Sequence, residues 1–141
     1  MKCTDMEVTP MLRDKVKKYF LDEGRNCAES MLMAANEEYN IGLSESELEL
    51  MRGFGGGFGY GLTCGAISGS VAALSKLICV KVDKDTSHAV TSSFVGEVEK
   101  RFENTNCSYL TPIHKKEDTR CYELLLQIAD ILEENIAKNK V

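Results

Sequence analysis

The stretch Gly53-Phe-Gly-Gly-Gly-Phe-Gly-Tyr-Gly-Leu-Thr-Cys64-Gly-Ala-Ile-Ser-Gly69 limits what this chain can fold into more than any other. Glycine at that density costs too much backbone entropy for a regular helix or strand. The segment from Ala66 to Val80, by contrast, is apolar enough to form a buried helix. A loop must therefore run into a helix, with Cys64 at the join. Unpaired N–H groups and the helix macrodipole favour negative charge at such a place. The thiolate is also the reactive and metal-binding form of cysteine.

The rest of the chain reads as helices around this join. Thr9 caps a first helix that opens on Pro10, buries Leu12, Val16 and Tyr19/Phe20, and ends at Gly24. Asn26 caps a second, running to about Tyr39 with Met31, Ala34 and Ala35 inward; Asn40-Ile-Gly42 closes it. Ser44 to Glu47 is a capping box for a short third helix ending near Arg52. The central helix covers about Thr63 to Leu77 or Ile78, and Ile78 to Val82 suits a short extended piece. A polar turn from Asp83 to Ser87 leads to a fifth helix carrying Val90, Phe94, Val98 and Phe102. Asn104 to Ser108 reads as loop, and Pro112 keeps the chain non-helical beyond it. Asp118 caps the last helix, which runs to about Lys138 on Tyr122, Leu125, Ile128, Ala129, Leu132 and Ile136. The expectation is all-α: a compact single-domain bundle of five or six helices over residues 1–141. A chain of this length buries roughly 68–70% of its unfolded surface, enough for one real core.

Composition narrows the function classes. A net charge of −5 with no basic stripe argues against nucleic acid. The groups Lys15-Val-Lys17-Lys18 and His114-Lys115-Lys116 read as solvated faces, and His88 and His114 as exposed side chains. The N-terminal residues are polar, without the apolar core of a signal peptide. No run reaches the ~20 apolar residues of a membrane helix. No membrane association and a cytoplasmic location are expected. In a reducing compartment the six cysteines are free, redox-active or metal-bound rather than structural disulfides.

Three cysteines share a setting. Cys27 follows the cap Asn26, Cys64 ends the glycine loop, and Cys121 lies within a turn of Asp118. A helix start can lower a thiol pKa, and Arg25 and Arg120 stand beside two of these residues. Cys107 lies in the polar loop before the last helix. Cys79, within Leu77-Ile78-Cys79-Val80, reads as a small core hydrophobe, and Cys3 has no assigned role. There is no CxxC, CxxCH or HExxH, so a metal site would have to assemble from separate helices. The glycine loop lacks Gly-Lys-Ser/Thr and GxGxxG, which excludes a P-loop and a dinucleotide fingerprint. Gly61, Gly65 and Gly69 continue into Ala72 or Ala73 as a small-residue groove for another helix or a flat cofactor, which makes Gly65 and Gly69 candidate cofactor contacts. Phe54, Phe58 and Tyr60 could fold over the site as an apolar cover.

The order Asn26-Cys27-Ala28, Gly53-Phe-Gly-Gly-Gly, Cys64-Gly-Ala-x-x-Gly69, Cys107, Cys121 resembles the C-GCAxxG-C-C family, to which a redox role is ascribed. The resemblance covers the chain from about Cys27 to the last helix. It implies a small helical protein with four recurring cysteines, here Cys27, Cys64, Cys107 and Cys121, and leaves Cys3 and Cys79 outside the pattern. A similar module attached to some multihaem cytochromes implies iron–sulfur or electron-transfer chemistry.

Three readings follow. In the first, Cys64 attacks or holds a sulfur and one of Cys27, Cys107 and Cys121 resolves it, with a redox partner protein or small thiol as counterpart. In the second, the same four cysteines hold an iron–sulfur cluster or a metal ion. In the third, the chain is a non-catalytic interaction module, a homodimer packed through the small-residue groove.

Overall fold

The computed structural model describes residues 12–140. The expected Thr9-Pro10 helix start and Cys3 lie outside the described residues. Seven α-helices and no strand occur among the described residues, so the all-α expectation holds, with one helix more than the upper count of six.

Helix α1 (Leu12–Lys17) widens into a π turn over Lys18–Asp22. Its stripe is buried as expected, with Leu12, Val16 and Phe20 in the core. Helix α2 (Cys27–Glu38) starts at Asn26, and the carbonyl side of the Asn26 amide accepts from the Glu29 N–H at 2.8 Å. Helix α3 (Glu45–Leu48) starts at the Ser44–Glu47 box and tightens into a 3₁₀ turn over Glu49–Phe54. The glycine turn (Gly57–Gly61) follows, then α4 (Gly65–Leu77). Helix α5 (Lys84–Phe102) is capped by Asp83, which accepts from the Thr86 N–H at 2.7 Å. Helix α6 (Cys107–His114) and α7 (Tyr122–Lys138) complete the order.

The central pair is α2 against α4. Helix α1 packs on α2 and α7; α7 also packs on α4 and α5. The layer between them holds Met31, Ala34 and Ala35 of α2, Ile67 and Leu74 of α4, Phe94 and Val98 of α5, and Leu125, Ile128 and Leu132 of α7. The α2–α4 approach is close because α4 carries glycine on that face. A Cβ at Gly69 would lie 2.5 Å from the Ala28 carbonyl oxygen, and one at Gly65 would lie 3.2 Å from the Cys27 Cβ. Any larger residue there would hold the two helices apart.

Three local expectations are corrected. Residues 107–114 are helix, not loop: Pro112 removes only the bond its own N–H would have made to Ser108, and the helix ends two residues later. Ile78 to Val82 is not extended but a 3₁₀ turn over Cys79–Lys81, which buries Ile78 and leaves Val80 67% exposed with no strand to pair with. Asp118 does not cap the last helix. Lys116 and Arg120 exchange backbone hydrogen bonds at 2.8 Å each way, closing a tight turn. The helix begins only after it, at Tyr122, with Cys121 in the cap position.

Candidate functional site

Four helix starts meet at one end of the bundle, and each carries a cysteine. Cys27 is the first residue of α2, Cys64 caps α4, Cys107 is the first residue of α6, and Cys121 caps α7. All four line a single cavity of about 180 Å³, whose other walls include Phe20, Asn26, Gly56 and Leu124. None of the four is in a disulfide.

Backbone pairing brings these distant segments together. The Cys64 N–H donates to the Thr105 carbonyl at 2.8 Å, and the Cys107 N–H donates to the Leu62 carbonyl at 2.6 Å. These bonds make the antiparallel bridge between Thr63 and Asn106, so the entries to α4 and α6 lie side by side. A side-chain clamp ties in the start of α2. Glu29, almost fully buried, accepts from the Asn26 N–H at 3.0 Å and from the Arg52 guanidinium at 2.6 Å, while the Asn26 amide donates to the Arg52 carbonyl at 3.0 Å. Burial alone would raise the Glu29 pKa; the bonds from Arg52 and Asn26 outweigh it and hold the carboxyl below its ordinary value. The clamp thus joins Cys27 to the chain entering the glycine turn. Arg120 secures the fourth segment: its guanidinium lies 3.8 Å over the Phe20 ring and donates to the carbonyls of Phe20 and Arg25.

The expected lowering of the thiol pKa values does not occur. Burial pushes Cys64 up to about 11, against the pull of hydrogen bonds from the Ala66 and Ile67 backbone. Burial raises Cys27 well above the ordinary thiol range, neighbouring thiols add to this, and Arg120 opposes it. Cys121 is raised by burial and by Cys107, while Lys115, Arg120 and the Thr111 hydroxyl oppose the shift. At Cys27, Cys64 and Cys121, desolvation therefore outweighs the helix-start effect and favours the neutral thiol. Arg25 pairs with Glu23 at 3.2 Å instead of facing a sulfur.

The remaining expected residues fall elsewhere. Cys79 is half-buried near the Ser87 carbonyl and is not part of the cavity wall. His88 is exposed on α5, and His114 stacks edge-on against Phe102 with ring centroids 5.4 Å apart. The groove of Gly61, Gly65 and Gly69 is filled within the chain: Gly69 faces Ala28 and Met31, and Gly61 faces Ser108. No room for a flat cofactor is left along Gly69. Gly65 alone of the pair reaches the cavity. Nor do Phe54, Phe58 and Tyr60 cover the site. Phe54 and Phe58 pack edge-to-face at 5.5 Å, Tyr60 is 82% exposed, and the loop reaches the cavity through Gly56.

Four thiolates suit zinc or an iron–sulfur cluster as a donor set. Among the described residues, however, no group of three or more Cys, His, Asp or Glu side chains is disposed to hold a metal ion. Reasoning from sequence missed two contributors to the cavity. Thr111 places its hydroxyl 3.2 Å from the Cys107 sulfur, four residues on in α6, a spacing hidden while that segment read as loop. Lys115 reads as part of a solvated basic group but stands at the cavity wall.

A family model described as "Putative redox-active protein (C_GCAxxG_C_C)" matches residues 25–135, which takes in all four cavity cysteines. A protein of Archaeoglobus fulgidus named only "Uncharacterized protein" is 48% identical over 56 residues, which are 39% of this chain and 37% of that one. The chain thus covers little more than a third of that relative. No solved structure matches. Among the described residues no helix is long and apolar enough to cross a membrane. The chain belongs to the C_GCAxxG_C_C family.

Proposed function

We propose that this chain, as a member of that family, performs two-electron thiol–disulfide chemistry at Cys27, Cys64, Cys107 and Cys121. The observation that supports this reading is the convergence of four thiols from four helix starts on one small cavity. Cys64 is the attacking sulfur, because the backbone N–H groups of Ala66 and Ile67 are placed to hold its thiolate. Once Cys64 gives its proton to solvent, its sulfur bonds to one sulfur of a substrate disulfide. The substrate S–S bond breaks, and the departing thiolate takes up a proton. A second cavity thiol, from Cys27, Cys107 or Cys121, then attacks the mixed disulfide and releases the other half as a thiol. Two protein thiols are oxidised to one disulfide, and one substrate disulfide is reduced to two thiols. The counterpart is a protein or low-molecular-weight disulfide in a reducing, cytoplasmic setting.

The test equilibrates reduced protein with a disulfide buffer of graded potential, traps free thiols by alkylation, and locates them by peptide mass. Cavity cysteines are expected to disappear in pairs while Cys79 stays alkylatable, and Cys64→Ser is expected to slow the oxidation at least tenfold. Oxidation of Cys79 as readily as the cavity set, or no effect of Cys64→Ser, would overturn the reading. Metal or iron–sulfur binding by the same four cysteines is the competing reading.

A further inference from the structure

The cavity is charged in a way the chain as a whole is not. With 22 acidic against 17 basic residues, the chain carries a net charge of −5. Yet the cavity wall contains two cations, Lys115 and Arg120, and no carboxylate. Neither cation forms an ion pair with a described residue. Arg120 is fixed in place by uncharged partners, the Phe20 ring and the carbonyls of Phe20 and Arg25, so its charge is positioned but not neutralised. The Lys116 ammonium next along the chain pairs with Glu123 at 2.5 Å, which leaves Lys115 as the uncompensated member of that basic group. The lining is otherwise largely apolar, from Phe20, Leu110 and Leu124, and in such walls a fixed charge acts with less screening than in water. Both cations act on Cys121, and Arg120 also acts on Cys27, so their field reaches the sulfurs.

We infer that the substrate of this site is an anionic low-molecular-weight disulfide, one whose carboxylates meet Arg120 and Lys115 while its S–S bond is presented to the cavity thiols. This rests on the thiol–disulfide reading above and adds the substrate's charge class to it. The reaction is the balanced exchange already described: two protein thiols give two electrons and two protons, and the substrate leaves as two carboxylate-bearing thiols. The selectivity opposes the protein's overall charge, which by itself would draw in a cation.

The experiment uses three disulfides of similar size: dianionic 3,3′-dithiodipropionate, neutral bis(2-hydroxyethyl) disulfide and dicationic cystamine. The rate at which each oxidises the fully reduced protein is divided by its rate with 2-mercaptoethanol, which removes intrinsic leaving-group differences. The normalised rate for the dianion is expected to exceed that for the dication by about tenfold at low ionic strength, and the ratio to collapse toward one in molar salt. Lys115→Gln, at an exposed residue bonded only through its backbone N–H, should cut the ratio severalfold while Lys115→Arg retains it. Arg120→Gln should cut it further, provided its circular dichroism matches the parent. Oxidation by all three disulfides with no preference, or a preference for cystamine, overturns this inference and leaves the thiol–disulfide reading standing. Failure of every disulfide to oxidise a cavity thiol overturns both.

Discussion

Glycine serves two different ends on the two sides of Cys64. In the turn before it, Gly56, Gly57, Gly59 and Gly61 have φ between +62° and +79°, a conformation that a Cβ disfavours. In the helix after it, Gly65 and Gly69 have ordinary helical backbones, and what excludes a Cβ is the neighbouring chain. The first set bends the chain; the second lets α4 lie against α2. One dense run of a single residue type thus joins a conformational requirement to a packing requirement, and the cysteine stands at the boundary.

Substitutions that separate the two requirements test this contrast. The largest effect is expected at Gly69→Ala, where the new Cβ would fall 2.5 Å from a backbone oxygen of α2. The helices must move apart, at a cost of about 3 kcal/mol, visible as a drop in Tm of about 10 °C. A Tm within a degree of the parent would mean that the α2–α4 contact is looser than described.

Next comes the boundary residue itself. The folded protein holds Cys64 at a pKa of about 11 against an ordinary value of 9.0. The neutral thiol is favoured in the fold, so its contribution is intact below pH 9 and is lost as pH rises from 9 to 11. Up to about 2–3 kcal/mol is at stake, and burial raises Cys27 and Cys121 in the same sense. Urea midpoints measured from pH 8 to 11 should fall, and Cys64→Ala should flatten part of that fall. An unchanged slope in the variant would remove Cys64 as a cause.

A smaller loss is expected at Gly59→Ala. Nothing lies within 4 Å of the new Cβ, so only the positive φ of +67° is penalised, by about 1 kcal/mol. The smallest effect, and of opposite sign, belongs to Gly96→Ala on the exposed face of α5. Neither requirement applies there, and the helix should gain about 0.5–1 kcal/mol. Equal costs at Gly59 and Gly69 would erase the distinction drawn above.

Much of this architecture can be read from local patterns. The caps at Asn26, Ser44 and Asp83 have local signatures, and so do the apolar stripes of α1, α2, α5 and α7. The glycine loop and its junction with α4 follow from backbone entropy alone. What escaped was set by contacts between distant segments. Residues 107–114 form a helix because Cys107 is held against Leu62, which outweighs the one bond lost at Pro112. Asp118 fails to cap because Lys116 and Arg120 pair first. The positions of the four cysteines along the chain were legible, but not the burial that raises their pKa values, since burial depends on the whole fold. Lys115 and Thr111 could not be recognised until α6 was known to exist.

Because its walls come from four separate helix entries, the thiol chamber cannot exist until α7 has docked. With α7 undocked, the cavity lacks the wall that Cys121 and Leu124 supply.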